Sequence, residues 1–97
     1  MSETITPEST GTFKVRTAGG TELVLELTKE GPFLTRKPGM FRPDGGSDPV
    51  RLQGDFTRLP LAEAPTVVVG SPGRFIVVVD DVAEHRGTAP IVSIEAG

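Results

Sequence analysis

Hydrophobic and polar side chains alternate along two stretches near the start of the chain, FKVRT at residues 13–17 and ELVLEL at residues 22–27. A period of two is typical of a β-strand, whereas a helix would spread the three leucines of the second stretch around its surface. Gly19 and Gly20 lie between the stretches, and glycine supplies the positive φ angles that tight hairpin turns require. The pattern therefore predicts an antiparallel hairpin.

Short runs rich in β-branched residues predict further strands downstream. Residues 33–37 form a candidate third strand, and residues 91–95 (IVSIE) form the last one. The runs at residues 66–69 (TVVV) and 74–79 (RFIVVV) are joined by GSPG, which predicts a second hairpin. With 12 glycines and 9 prolines along the chain, no helix of normal length is expected. The one candidate is a single helical turn at residues 82–86.

This spacing of strands predicts an all-β fold, a small antiparallel barrel or sandwich of about five to seven strands. We expect one domain over residues 12–97. Residues 1–11 are polar and contain proline and glycine, so they are interpreted as a flexible N-terminal arm. Residues 38–49 (PGMFRPDGGSDP) hold neither a helix nor a central strand, and they predict one long loop.

Composition excludes several classes of function. The chain of 97 residues has no cysteine, which removes disulfides, thiolate metal ligands and thiol nucleophiles. Its net charge is −3, with a local basic excess only in residues 29–58, so nucleic acid is not the expected partner. The longest apolar run, residues 75–79, is far shorter than the ~20 residues of a membrane helix, and the start resembles no secretory signal. We therefore expect a cytoplasmic protein that does not bind membranes.

The only histidine, His85, lies close to Asp80, Asp81 and Glu84. On a helical turn, Asp81 and His85 would share one face and suit either an ion pair or two metal ligands. A metal site needs at least a third ligand, and no second histidine exists to supply it. We interpret this stretch as a charged turn between two strands. A metal site and acid–base catalysis remain as alternatives.

Nucleophilic and phosphate-binding sites have little support in the sequence. The GSPG stretch around Ser71 differs from the G-x-S-x-G elbow, and no strand-to-helix pattern surrounds it. The glycine pairs in AGGT and DGGSD do not open a helix, as a phosphate-binding loop would. We therefore predict no catalytic residues, no cofactor and no enzymatic activity.

The basic residues around the long loop form the candidate partner-binding site. Met40 and Phe41 are an apolar pair within a polar, glycine-rich segment, and arginine beside exposed apolar residues is typical of interface hot spots. Alternatively, Phe41 plugs one end of the barrel. Single-stranded nucleic acid would need several aromatic stacking platforms. The chain has five phenylalanines and no tyrosine or tryptophan, and Phe13 and Phe75 are predicted core residues. The candidate site comprises Arg36, Lys37, Met40, Phe41, Arg42 and Arg51.

The early strand-Gly-Gly-strand hairpin and the closing GTAPIVSIE resemble small SH3-like β-barrel proteins of actinobacteria and their phages. The small residues before the last strand are also similar to those of some phage capsid decoration proteins. The resemblance implies an SH3-like barrel and a virion or assembly component with no catalytic residues. The loop at residues 38–49 departs from a minimal SH3-like barrel.

These observations predict a non-enzymatic protein–protein interaction or assembly module, with a phage virion subunit as one form of it. The expected partner is a protein, in a homo- or hetero-oligomeric assembly located in the cytoplasm or a virion. The first alternative is a small regulatory or nucleic-acid-associated barrel that uses the basic residues of segment 36–51. The second alternative is a metal-dependent activity at Asp81 and His85.

Overall fold

The computed structural model describes residues 4–38 and 56–96, and within them the fold is all-β, without a helix. Those residues contain no helix long and apolar enough to cross a membrane. The strands are β1 (Thr4–Ile5), β2 (Gly11–Thr17), β3 (Glu22–Thr28), β4 (Gly31–Lys37), β5 (Arg58–Pro60), β6 (Val67–Val68), β7 (Pro72–Val79) and β8 (Val82–Ala96). The predicted fold class is confirmed.

Six of the strands form a nearly closed antiparallel barrel in the order β5-β4-β3-β2-β8-β7. The first and last strands of this order approach each other through a single bridge between Leu61 and Val77. There the Ala62 N–H donates to the carbonyl of Ile76 at 2.8 Å. β1 and β6 form a separate two-stranded sheet. Closure leaves few free edges among the described strands.

The predicted first hairpin is confirmed, since β2 and β3 pair from Gly11 opposite Leu27 to Arg16 opposite Glu22. In its turn the Thr17 N–H donates to the carbonyl of Thr21 at 3.0 Å, and the Gly20 N–H donates to Thr17 at 3.1 Å. Only Gly20 has a positive φ, 86°. The prediction that both glycines need such angles is therefore wrong, because a three-residue loop requires one left-handed position.

The core is built from the alternating positions of the barrel strands. Phe13, predicted as core, is buried, and so are the three alternating leucines of β3. The second predicted core phenylalanine, Phe75, is buried on β7. The complete set of buried apolar residues is Ile5, Phe13, Val15, Leu23, Leu25, Leu27, Leu34, Leu61, Val67, Phe75, Val77, Ile91 and Ile94. One apolar interior therefore joins the barrel and the small sheet.

β8 changes neighbours along its length. Its first part pairs with β7 as far as Pro90, opposite Pro72, and its last part pairs with β2 from Ile91, opposite Thr17. Both ladders are irregular next to this point, one between Pro72 and Arg74 and the other between Arg16 and Thr17. Such bulges bend a strand sharply, and they let β8 turn from one neighbour to the next.

The second predicted hairpin is wrong. β6 does not pair with β7 across the GSPG turn, but with β1, where Ile5 lies opposite Val67. β7 pairs with β8 through the turn at Asp80 and Asp81. The single helical turn predicted at residues 82–86 is also wrong, since these residues belong to β8. In both cases the conformation is decided by pairing with a distant strand rather than by the local sequence pattern.

Residues 4 and 5 differ from the prediction of a flexible arm. Ile5 is 0% exposed and belongs to the core cluster. The chain then turns at Thr6, whose carbonyl accepts a hydrogen bond from the Ser9 N–H at 3.0 Å. Part of the predicted arm is thus a docked strand, because one isoleucine has apolar surface to bury. Residues 1–3 lie outside the described residues, and so does the loop predicted at residues 38–49 except for Pro38.

We expect Ile5→Ala to lower the free energy of unfolding by about 2–4 kcal/mol, because it removes buried methyl groups and leaves a cavity. Urea unfolding followed by circular dichroism measures the change. Thr4→Ala is the matched control, since Thr4 is exposed on the same short strand. Equal unfolding midpoints for the two variants would contradict the docking of β1.

We expect Gly73→Ala to destabilise the fold by about 1–3 kcal/mol through overpacking. A Cβ at Gly73 would lie 2.9 Å from the Phe75 ring and 2.9 Å from Thr88 Oγ1. Gly87→Ala is the control on the facing strand, where a Cβ would meet only the Gly73 carbonyl at 3.9 Å. Thermal unfolding compares them, and a Gly73→Ala melting temperature at or above that of Gly87→Ala would disprove the tight packing.

Candidate functional site: the open edge of β8

Among the described residues, the first half of β8 has a strand neighbour on one side only. Residues 82–90 pair with β7, and the pairing of β8 with β2 begins at Ile91. No strand within residues 4–38 or 56–96 pairs with the other edge of residues 82–90. We call residues 82–87 the open edge, because the irregularity next to Thr88 and Ala89 ends the regular ladder.

The turn between β7 and β8 fixes which backbone groups face the open edge. Asp80 and Asp81 have φ values of 51° and 65°, which are the paired positive angles of a type I′ two-residue turn. In such a hairpin the flanking residues, here Val79 and Val82, form a hydrogen-bonded pair, and such pairs recur at every second position. The N–H and C=O groups of Ala83, His85 and Gly87 therefore point away from β7.

A contact on the far side of the hairpin agrees with this assignment. Ile76 lies opposite His85, and its carbonyl accepts a hydrogen bond from the Ala62 N–H at 2.8 Å. The main-chain groups of Ile76 thus point away from β8, as they do in a non-hydrogen-bonded pair. His85 is the other residue of that pair, so its main-chain N–H and C=O groups must point away from β7.

The hairpin extends beyond the barrel core, which exposes apolar side chains. Val82 is 65% exposed, although it lies on the same face as the buried Phe75 and Val77. On the opposite face, Ala83 and His85 are exposed, and Ile76 beside them is half-buried. The projecting end of the hairpin is therefore a two-sided ribbon with little of the core beneath it.

Arg86 marks the point where the ribbon leaves the core. It lies opposite Phe75, and its side chain is only 8% exposed. Its Nη2 atom lies 2.9 Å from Glu84 Oε2, and Nε donates to the same oxygen at 3.2 Å. Glu84 is 54% exposed. A buried guanidinium needs such a partner, because an unpaired buried charge is costly. The ion pair therefore extends from Arg86 at the barrel mouth to Glu84 in the exposed part of the open edge.

Two hollows adjoin this segment. An open concavity of about 500 Å³ on the outside brings Glu63, Arg74 and His85 together. A smaller hollow of about 190 Å³ at the barrel mouth lies between the turn of the first hairpin and β8, where Thr17 and Thr88 contribute hydroxyl groups. Both hollows are shallow, and neither places a nucleophile beside a base in the described part of the chain.

Two of the predicted partner-binding residues are described by the structure. Arg36 and Lys37 lie half-buried at the end of β4. Arg36 lines the mouth hollow with Gly87 and Thr88, and its carbonyl accepts a hydrogen bond from the Phe56 N–H at 2.7 Å. The predicted site residues Met40, Phe41, Arg42 and Arg51 lie outside the described residues, so the structure does not test whether Phe41 acts as a plug.

The interpretation of the Asp80–His85 stretch as a charged turn holds for Asp80 and Asp81, which form a two-residue turn. Glu84 and His85 lie instead in β8. The helical spacing on which the metal hypothesis depended is absent. Four residues of extended strand span about 13 Å. Within residues 4–38 and 56–96, no group of three or more His, Asp or Glu side chains is arranged to hold a metal ion.

No family model matches the chain, and no curated protein or solved structure matches it either. The resemblance to SH3-like barrels and phage proteins therefore stays a hypothesis.

We expect Asp81→Gly to stabilise the hairpin by about 0.5–1 kcal/mol, because glycine adopts φ 65° without strain at the second turn position. Asp81→Val is the opposite control, since a β-branched residue is strained at positive φ. Thermal unfolding measures both variants. The reverse order of stability would show that the turn is not of this type.

Proposed function

We propose that the protein is a non-enzymatic interaction or assembly module that binds an extended protein segment along the open edge. The observation that carries the proposal is the row of outward N–H and C=O groups at Ala83, His85 and Gly87. A strand added to such an edge gains affinity from main-chain hydrogen bonds and specificity from alternate side chains. A structural subunit of a virion is one setting for such a module.

The sequence of the open edge supports a binding role. Proteins commonly protect free edges with proline, lysine, bulges, inward-pointing charges or a covering element. Residues 82–87 contain neither proline nor lysine, although Arg86 is an inward-facing charge opposite Phe75. An irregular pairing and a proline follow only beyond the open edge, at Thr88 and Pro90. The edge thus has a defined length and a defined end, which suits one added strand.

The side chains of this edge give it a preference among partners. The exposed Val82 and Ala83 offer apolar contacts at the tip of the hairpin, and Glu84 presents an accessible carboxylate. Arg86, whose side chain is only 8% exposed, places a basic group on the same face as Glu84, at the barrel mouth. An added strand would therefore gain most with a small apolar residue near Val82 and with charges complementary to the pair. Such a partner is a protein segment, and the proposal involves no cofactor.

Photo-crosslinking tests the proposal. We expect a benzoyl-phenylalanine placed at Ala83 to yield adducts of discrete mass, either with the purified protein or with one component of an extract of the cells that make it. The same group at Lys29, in the exposed turn between β3 and β4, is the matched control. Gel electrophoresis and mass spectrometry identify the adducts.

Adducts specific to position 83 support an edge-binding role, and an added proline substitution at His85 should remove them by deleting an outward N–H. If positions 83 and 29 give the same adducts, or if position 83 gives none in either setting, the edge is not a binding site. Circular dichroism of each variant checks that the barrel remains folded.

A further inference from the structure

We propose that the occupant of the open edge is the open edge of a second copy of this chain, paired antiparallel about a two-fold axis at His85. This inference rests on the proposed function, because it names the partner of the same edge. The two hairpins would then form one continuous sheet in the order β7-β8-β8-β7. The charges at positions 84 and 86 select this pairing.

Antiparallel pairing centred on His85 places each residue opposite one at an equal distance on the other side of the axis. Ala83 then lies opposite the partner's Gly87, and both direct their main-chain groups toward the interface. Glu84 lies opposite the partner's Arg86, and Arg86 opposite the partner's Glu84. This register therefore brings two pairs of opposite charges together, and cross-strand pairs of this kind stabilise a sheet.

Glu84 and Arg86 disfavour the two alternative registers in which the two-fold axis is shifted by one residue. A two-fold axis at Glu84 places that carboxylate opposite the partner's Glu84, and an axis at Arg86 places two guanidinium groups opposite each other. Like charges directly across a strand pair are destabilising. The acidic and basic residues thus favour the axis at His85 over either one-residue shift.

The ion pair between Arg86 and Glu84 of the same chain already holds the Arg86 side chain in one conformation before a partner binds. Arg86 already donates to Glu84 from Nε and Nη2, and its side chain is 8% exposed. A side chain held in this way loses little further rotamer freedom when a second carboxylate approaches. Glu84 is 54% exposed, so its carboxylate remains accessible to the partner's Arg86.

The length of the edge sets the expected strength of the dimer. Interfaces that hold stable dimers bury about 800 Å² on each partner, and a single pair of short strands buries less. We therefore expect reversible association with a dissociation constant on the order of micromolar.

Two charge-reversal variants test the pairing. Glu84→Arg leaves basic residues at both positions, and Arg86→Glu leaves acidic residues at both. Each variant alone would place like charges opposite each other and should weaken association by about tenfold or more. A mixture of the two restores opposite charges across the interface, although the ion pair within each chain stays broken. Heterodimers in that mixture are therefore the expected result.

Sedimentation velocity over a wide concentration range measures association of the wild type and of each variant, and native mass spectrometry of the mixture identifies heterodimers. A wild-type dimer whose mass does not respond to either reversal, or a mixture that remains monomeric while both variants are folded, overturns the register.

Single cysteine substitutions test the two-fold pairing at His85 if either charge variant fails to fold. The chain has no cysteine, so one substitution creates one thiol. Residues directly opposite in a hydrogen-bonded pair have Cα atoms about 5.5 Å apart, within the range that a disulfide spans. His85→Cys should therefore form a disulfide dimer rapidly. Ala83→Cys is the control, because the two Cα atoms would lie about 14 Å apart along the strands.

Equal oxidation rates at positions 85 and 83 would overturn the two-fold pairing.

The two proposals also fail in different ways. A monomeric wild type that nevertheless crosslinks from Ala83 to another protein rejects the second copy as occupant and keeps the interaction module. A monomer with no adduct at Ala83 in the extract rejects both.

Discussion

One strand must change neighbours at Pro90 and Ile91 for the barrel to close. The Pro90 carbonyl accepts a hydrogen bond from the Ala18 N–H at 2.8 Å, on the β2 side. Ile91 donates to the Ser71 carbonyl at 2.9 Å and accepts from the Gly70 N–H at 2.8 Å, on the β7 side. Proline has no N–H, so the change of neighbours leaves no donor unpaired there. Ile91 is 1% exposed, and its side chain fills the core beneath the switch.

The open edge is a consequence of this switch. Because β2 takes over at Ile91, β7 is the only described strand that pairs with the earlier half of β8, and the hairpin that they form continues past the barrel. Val82 occupies an inward-facing position with little core beneath it, which explains its 65% exposure. Among the described strands, closing the barrel at one end of β8 thus leaves an open edge at the other.

The sequence predicts the parts of the fold that depend on local pattern. The β2–β3 hairpin and its buried positions follow from alternation and one glycine turn, so they are correctly predicted. The pairing of β6 depends instead on Ile5, a single apolar residue in a polar segment more than fifty positions away. No local pattern indicates that contact, so the sequence predicts the wrong neighbour for the run TVVV. The candidate site also depends on long-range pairing. His85 can be singled out from the sequence because it is the only histidine. The importance of Arg86 depends on the register of β7 and β8, which composition does not indicate.

Arg86 limits the ways in which the edge can be occupied. An inward-pointing charge is one of the devices by which proteins discourage edge-to-edge aggregation, because a strand added in the wrong register must bury it without a partner. Within the chain, Arg86 Nη2 lies 2.9 Å from Glu84 Oε2. The same two residues disfavour any added strand that brings a like charge to either position. Under the proposed function, this ion pair therefore also selects which strand can be added beside it.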